Sequence, residues 1–176
     1  MFGFSKKSYG GIKVIDKVWL SQQAKFKACA DMLSINPSCL FIAWFEQTAN
    51  DLANSPGIPA GQSNVLLVEN ISAPPSVNRM IVFVEHHPLA SEEQKLFASL
   101  QLSEVPVLSS LDEPFFEKFG ASGTVDLMRR LGMKEDEVLG HDMITKSIRN
   151  AQESLARKAK RNLKARSQRE WIELNV

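Results

Sequence analysis

Short continuous apolar runs alternate along this chain with stretches of helical spacing, and turn-forming residues separate them. Cys39–Trp44, Val65–Val68 and Met80–Val84 have no polar position inside them. Half-exposed strands would alternate, so such runs predict strands buried on both faces of a parallel sheet. Val105–Leu108 predicts a fourth strand, and its Pro106 points to an edge or a strand start. Between the strands, Trp19–Leu33 reads as a helix with its entry: Ser21 is the N-cap, and Ala24, Phe26, Cys29, Ala30 and Leu33 fall near helical spacing. Asn36-Pro37-Ser38 ends it. Glu46–Asn54 predicts a second helix, stopped by Ser55-Pro56-Gly57, and Ala73-Pro74-Pro75 predicts a loop. A third helix runs from Ser91, as cap, to about Leu102, with Gln94 at the capping-box position. Short helices are expected over Phe115–Phe119 and Val125–Leu131, with Leu111, Phe115, Phe119, Met128 and Leu131 buried. A long final helix opens at Asp142 or Thr145 and continues to at least Leu163, with Ile148, Leu155 and Leu163 facing protein. Strands alternating with helices imply an α/β fold, a mostly parallel sheet flanked by helices.

Composition narrows the class. At 176 residues the chain suits one domain with a real core. Residues 1–16 are expected as a flexible tail, 17–144 as the α/β domain and 145–176 as a basic C-terminal helix. A net charge of +1 excludes a chain that binds nucleic acid through its overall charge. The charge is uneven, however: Lys146–Val176 holds nine Lys/Arg and three Glu, about +6, which leaves about −5 elsewhere. No apolar run approaches the roughly twenty residues of a transmembrane helix. The N-terminus carries no apolar signal core, so the expectation is a cytoplasmic protein. Cys29 and Cys39 make neither a zinc spacing nor a redox pair and are expected as free thiols.

The most specific stretch is Ser109–Gln152. It contains Ser110-Leu111-Asp112-Glu113, then Phe119-Gly120, Met128, Leu131-Gly132-Met133 and Glu137, then Thr145-Lys146-Ser147-Ile148 and Ala151-Gln152. This order and spacing resemble the end of the second motor domain of SecA, the ATPase of bacterial preprotein translocation. In that family a "SLED-x-L-h-x-x-FG" segment precedes "h-x-x-hM-x-x-LGh-x-x-x-E" and "h-x-(K/R)-x-I-x-x-AQ". A weaker resemblance runs back to Lys17: Lys17-Val18-Trp19-Leu20 with Lys25-Phe26 looks like the domain's opening. Cys39–Trp44 with Glu46 and Leu52 looks like its next strand and helix. Met80–Glu85 with His87 looks like the strand that ends in "T-E-R-H". The resemblance implies a RecA-like fold, with Ile148, Ala151 and Gln152 where the family's scaffold helix leaves the motor domain.

The chemistry of that family is not legible in these residues. No G-x-x-x-x-G-K-(S/T) phosphate loop is present. Where the family has "G-R-G-T-D", this chain has Glu69-Asn70-Ile71-Ser72; where it has "Q-x-x-G-R-x-G-R", Glu92–Leu100 contains no arginine. Arginine there supplies charge and fork geometry, so its absence points to a degenerate domain without ATP hydrolysis and without a cofactor. One polar cluster remains as a candidate site: Glu85, His86 and His87 at the carboxyl end of a strand, with Asp112. There α/β proteins place ligands. Adjacent histidines on extended chain point apart and do not share a metal. The plainer alternative has Glu85 and His87 hydrogen-bonded to neighbouring loops, and Asp112 capping the helix that follows it, with Pro114 in the first turn. On the final helix, Arg157, Lys160, Arg161 and Lys164 face solvent or an acidic partner, and Trp171 and Leu174 are candidate anchors for a protein partner or a second copy. Three functions stay open: a non-catalytic interaction module of SecA-type descent, a small ligand-binding protein or enzyme using the Glu85–His87 crevice, and, least favoured, a nucleic-acid binder through the basic helix.

Overall fold

The computed structural model describes residues 11–61, 63–71 and 79–176. In chain order these form β1 (Lys13–Trp19), α1 (Gln22–Ile35), β2 (Leu40–Ala43), α2 (Glu46–Ala53), β3 (Val65–Leu67), β4 (Ile81–Phe83), α3 (Ala90–Ser99), β5 (Glu104–Ser110), α4 (Pro114–Glu117), α5 (Ala121–Arg130), α6 (Asp142–Lys158) and α7 (Gln168–Asn175). The five strands make one all-parallel sheet in the order β1-β5-β4-β2-β3. This is the α/β class expected from the apolar runs and consistent with a RecA-like fold. The expectations for residues 1–10 and for Ala73-Pro74-Pro75 lie outside the described residues.

The strand β1 corrects the boundary drawn at residue 16. Residues 13–16 belong to the sheet, with Lys13 opposite Glu104 and Asp16 opposite Val107. Lys13, Asp16 and Lys17 interrupt its apolar positions, so it does not stand out as a continuous run. The outer side of β1 is partly covered where Val18 and Leu139 exchange backbone hydrogen bonds of 2.9 and 2.8 Å. The edge expected from Pro106 is a second correction: β5 is interior. β4 pairs with β5 only through Phe83 and Val107, so Pro106 has a ladder neighbour on the β1 side alone. Val68, expected as strand, begins a 3-10 turn.

The helices cover both faces. On one, Phe26, Cys29 and Leu33 of α1 and Leu52 of α2 pack on Phe41, Ala43, Val82 and Val84. On the other, Phe97 of α3 packs on Ile42, Phe83, Val105 and Val107. The α1 cap is as expected: Ser21 Oγ accepts from Ala24 N at 3.2 Å. The α3 cap is not, because Leu89 holds that position and Ser91 lies inside the helix. Since β2 leads to α2 on one face and neighbouring β4 leads to α3 on the other, their carboxyl ends flank the topological switch point of the sheet.

Two further expectations fail in the C-terminal third. Phe115 is fully buried, and Leu111 and Met128 are half-buried, but Phe119 is 44% and Leu131 77% exposed. α4 stops at Glu117 after one turn and Gly120, at φ 80°, turns the chain into α5, so Phe115 is buried and Phe119 is left at the rim. Phe119→Ala is therefore expected to cost only about 1 kcal/mol. Phe115→Ala should cost about 3–5 kcal/mol, as for other buried aromatic truncations. Urea midpoints of the two variants separate these outcomes.

The single helix expected over 145–176 is instead two. α6 stops at Lys158, Ala159 is extended, and the chain doubles back so that Lys160 N donates to Asn175 O at 3.0 Å. Arg157, Lys158, Lys160 and Arg161 would crowd like charges along a continued helix. Reversal leaves them exposed and brings Trp171 and Ile172 onto Phe45. Leu163, expected to face protein, is 43% exposed.

Candidate functional site

The chain leaves β4 through Val84 and enters an extended turn, Glu85-His86-His87, whose side chains diverge. Glu85 points across the switch point. Its Oε1 accepts from the backbone N–H groups of Trp44 and Phe45, both at 3.0 Å, and its Oε2 from the Thr48 hydroxyl at 2.7 Å. Phe45 is the N-cap residue of α2, so this carboxylate occupies the positive end of that helix. Burial pushes the Glu85 pKa up to about 7, against the Thr48 hydrogen bond and nearby Lys25.

His86 points the other way, into a pair of carboxylates. Its Nδ1 lies 2.7 Å from Glu93 Oε1 and its Nε2 2.8 Å from Asp16 Oδ1, all three side chains being buried. Burial favours the neutral ring, but Glu93 and Asp16 outweigh it and hold the His86 pKa well above its ordinary value. The ring is an imidazolium that donates from both nitrogens. For Asp16, burial pushes the pKa upward, and His86 together with Thr145 and Arg149 more than offsets it, leaving the carboxyl below its usual range.

His87 is the opposite case. Its Nδ1 accepts from Leu89 N at 3.0 Å, and the ring sits between Trp44, Phe45 and Trp171, at centroid distances of 5.0, 5.9 and 5.5 Å. Burial holds its pKa below the ordinary value, so this histidine is neutral. The two rings point apart, and among the described residues no group of three metal-ligating side chains is placed to hold a metal ion.

Side chains distant in sequence lock this turn in place. Gln152, the last residue of the quoted motifs, donates to His87 O at 2.9 Å and to Glu93 Oε2 at 3.0 Å. Gln168 of α7 donates to His86 O at 3.2 Å and accepts from Phe115 N at 2.7 Å. Lys25, fully buried, donates to Val84 O at 2.7 Å and to Glu113 Oε1 at 2.6 Å. Asp112 corrects one expectation: its Oδ2 accepts from Gln22 N at 2.9 Å and so caps α1, while α4 has no side-chain cap. Asp112 and Glu85 do not touch each other but both line a crevice of about 350 Å³ at the carboxyl ends of the strands, with Thr48 and Glu113.

Sequence reasoning missed Asp16, Lys25, Glu93, Glu113 and Gln168. Each sits singly in a pattern with another explanation, and none neighbours its partner in the chain. Trp171 corrects another expectation: at 1% exposure it is core, edge-on to His87, and no anchor for an outside partner. Leu174 stays at the surface, 39% exposed. Arg157, Lys160, Arg161 and Lys164 are exposed as expected. Lys164 is paired with Glu69 at 2.5 Å, and Arg161 Nε donates to Leu174 O at 3.2 Å. Cys29 and Cys39 are free thiols, and burial pushes Cys29 up to about 12, which keeps it unreactive.

A segment of this chain is similar to SecA. Over 43 residues it is 51% identical to the protein translocase subunit SecA of Acidithiobacillus ferrooxidans, 49% to that of Syntrophobacter fumaroxidans and 44% to that of Psychrobacter cryohalolentis. That segment is 24% of this chain, and it covers only 5% of the length of those relatives. No protein-family model matches the chain. The SecA-like similarity is therefore local. Among the described residues no helix is long and apolar enough to cross a membrane.

Proposed function

We propose that this chain is a binding unit descended from a SecA-type second motor domain, that it does not hydrolyse nucleotide, and that it works through contact with a protein partner in the cytoplasm, in connection with protein export. The observation that carries this reading is the place of Glu85. A helix N-terminus at a switch point is where an α/β fold holds an anionic ligand. Here the N–H groups of Trp44 and Phe45 are taken by the protein's own carboxylate. A phosphate brought to that position would have to displace Glu85. Gln168 and Trp171 of α7 pack against the adjoining His86-His87 segment. The absence of a phosphate loop from the sequence agrees with the same reading.

Calorimetry with magnesium and ATP is expected to give no saturable binding in the roughly micromolar range, and a coupled assay no turnover above background. Magnesium-dependent hydrolysis that persists in a repurified sample would overturn the proposal. A second reading, a small ligand-binding protein, is favoured by the crevice itself, which brings Thr48, Glu85 and Asp112 to one wall.

A further inference from the structure

The charges around the Glu85-His86-His87 turn do not balance on its two sides. On one side Asp16 and Glu93 share the His86 cation, and the positive charge of Arg149 also acts on Asp16. On the other, Lys25 is bonded to Glu113 and acts on Glu85 only through its charge, one ammonium for two buried acids, of which Glu85, its pKa pushed up to about 7, is partly protonated near neutral pH. Lys25 is bonded to Glu113 Oε1 and to Val84 O, while Glu113 Oε2 has no hydrogen-bond partner, although the residue is only 6% exposed. A buried carboxylate oxygen without a donor is costly and marks a place where a donor is missing. Glu113 and Glu85 both line the crevice of about 350 Å³, and its rim adds Asp51, Asp112 and Glu173. Arg169, the cation on that wall, is paired with Glu117 at 2.8 Å.

We propose that this crevice takes a guanidinium or ammonium head group, carried on an arginine or lysine side chain of a protein partner. The proposal rests on the reading of the chain as a binding unit and names the chemistry of what it binds. A guanidinium fork presents five N–H donors to carboxylates at different angles, which suits the unpartnered Glu113 Oε2 and the exposed acids that line the same crevice. The charge also steers a basic segment towards this end of the sheet, where the carboxylates concentrate.

The test uses the full chain at low salt, titrated by calorimetry with agmatine and with an end-blocked Ala-Arg-Ala peptide. Saturable one-site binding with a roughly millimolar Kd is expected, tighter for the peptide. Asp51 and Glu173 are exposed, so the double variant Asp51→Asn/Glu173→Gln keeps the fold. It should weaken binding about tenfold, while Glu104→Gln, at the opposite end of β5, should leave the Kd within about twofold. Tighter binding of agmatine than of the peptide would overturn the assignment to a protein side chain. No saturable binding of either, or equal weakening by Glu104→Gln, would overturn the site altogether. Nucleotide turnover would sink the parent reading without touching this one, so the two failures are distinguishable.

Discussion

His86→Ala is expected to destabilise the protein by about 3–5 kcal/mol, because it leaves Asp16 and Glu93 buried and facing each other without their shared cation. The cost is not that of a lost surface pair. Both acids are at least nine-tenths buried, and both hydrogen bonds are shorter than 2.9 Å. The pH dependence follows from the direction of the His86 shift. A histidine whose pKa is raised on folding contributes its full stabilisation below its unfolded value, near 6.5, and loses it as pH rises through the folded value. Wild-type stability should therefore decline from about pH 6.5 upward, and that slope should be absent from His86→Ala. His87 acts in the opposite sense. Its pKa is lowered, so it costs stability as pH falls below about 6.5. Urea midpoints between about pH 5 and pH 9 for wild type, His86→Ala and His87→Gln check both signs. An alkaline slope that survives in His86→Ala would show that the imidazolium is not its source.

Trp171→Ala is expected to cost a further about 3–5 kcal/mol, as a fully buried aromatic truncation does. Deletion of Gln168–Val176 should be more severe. It removes Trp171 and Ile172 from Phe45, takes the Trp171 ring away from His87, and leaves His86 O and Phe115 N without Gln168. The truncated chain should lose its cooperative thermal transition rather than behave as a domain without its arm. A melting temperature unchanged by the deletion would restore the view of α7 as a projecting partner-binding element. The sequence favours that view because Trp171 stands in a polar, basic neighbourhood. It gives no sign that the helix before it breaks.

The fold class and the places of the four apolar strands, β2 to β5, were determined by the sequence on its own. A run such as Leu40-Phe41-Ile42-Ala43 has no polar side, so it is stable only between two helical layers, and that is a local property. The Ser21 cap and the divergence of His86 from His87 are local in the same way, set by neighbours within a few residues. β1 was harder to see because Lys13, Asp16 and Lys17 break up its apolar positions, and Asp16 is buried only through its partner His86. The resemblance to SecA was legible because forty-odd residues keep order and spacing without any need to know what they touch. The polar core was decided only by the tertiary structure. Asp16, Lys25, Glu93 and Glu113 come from four different elements, β1, α1, α3 and the turn before α4, and each reads as an ordinary surface charge until the fold brings it to its partner. The reversal after Lys158 is of the same kind. Helix propensity along 145–163 favours continuation. The burial of Trp171 and Ile172 against Phe45 and His87, worth more than a few turns of exposed helix, wins because hydrophobic burial in a core outweighs propensity of a few tenths of a kcal/mol per residue.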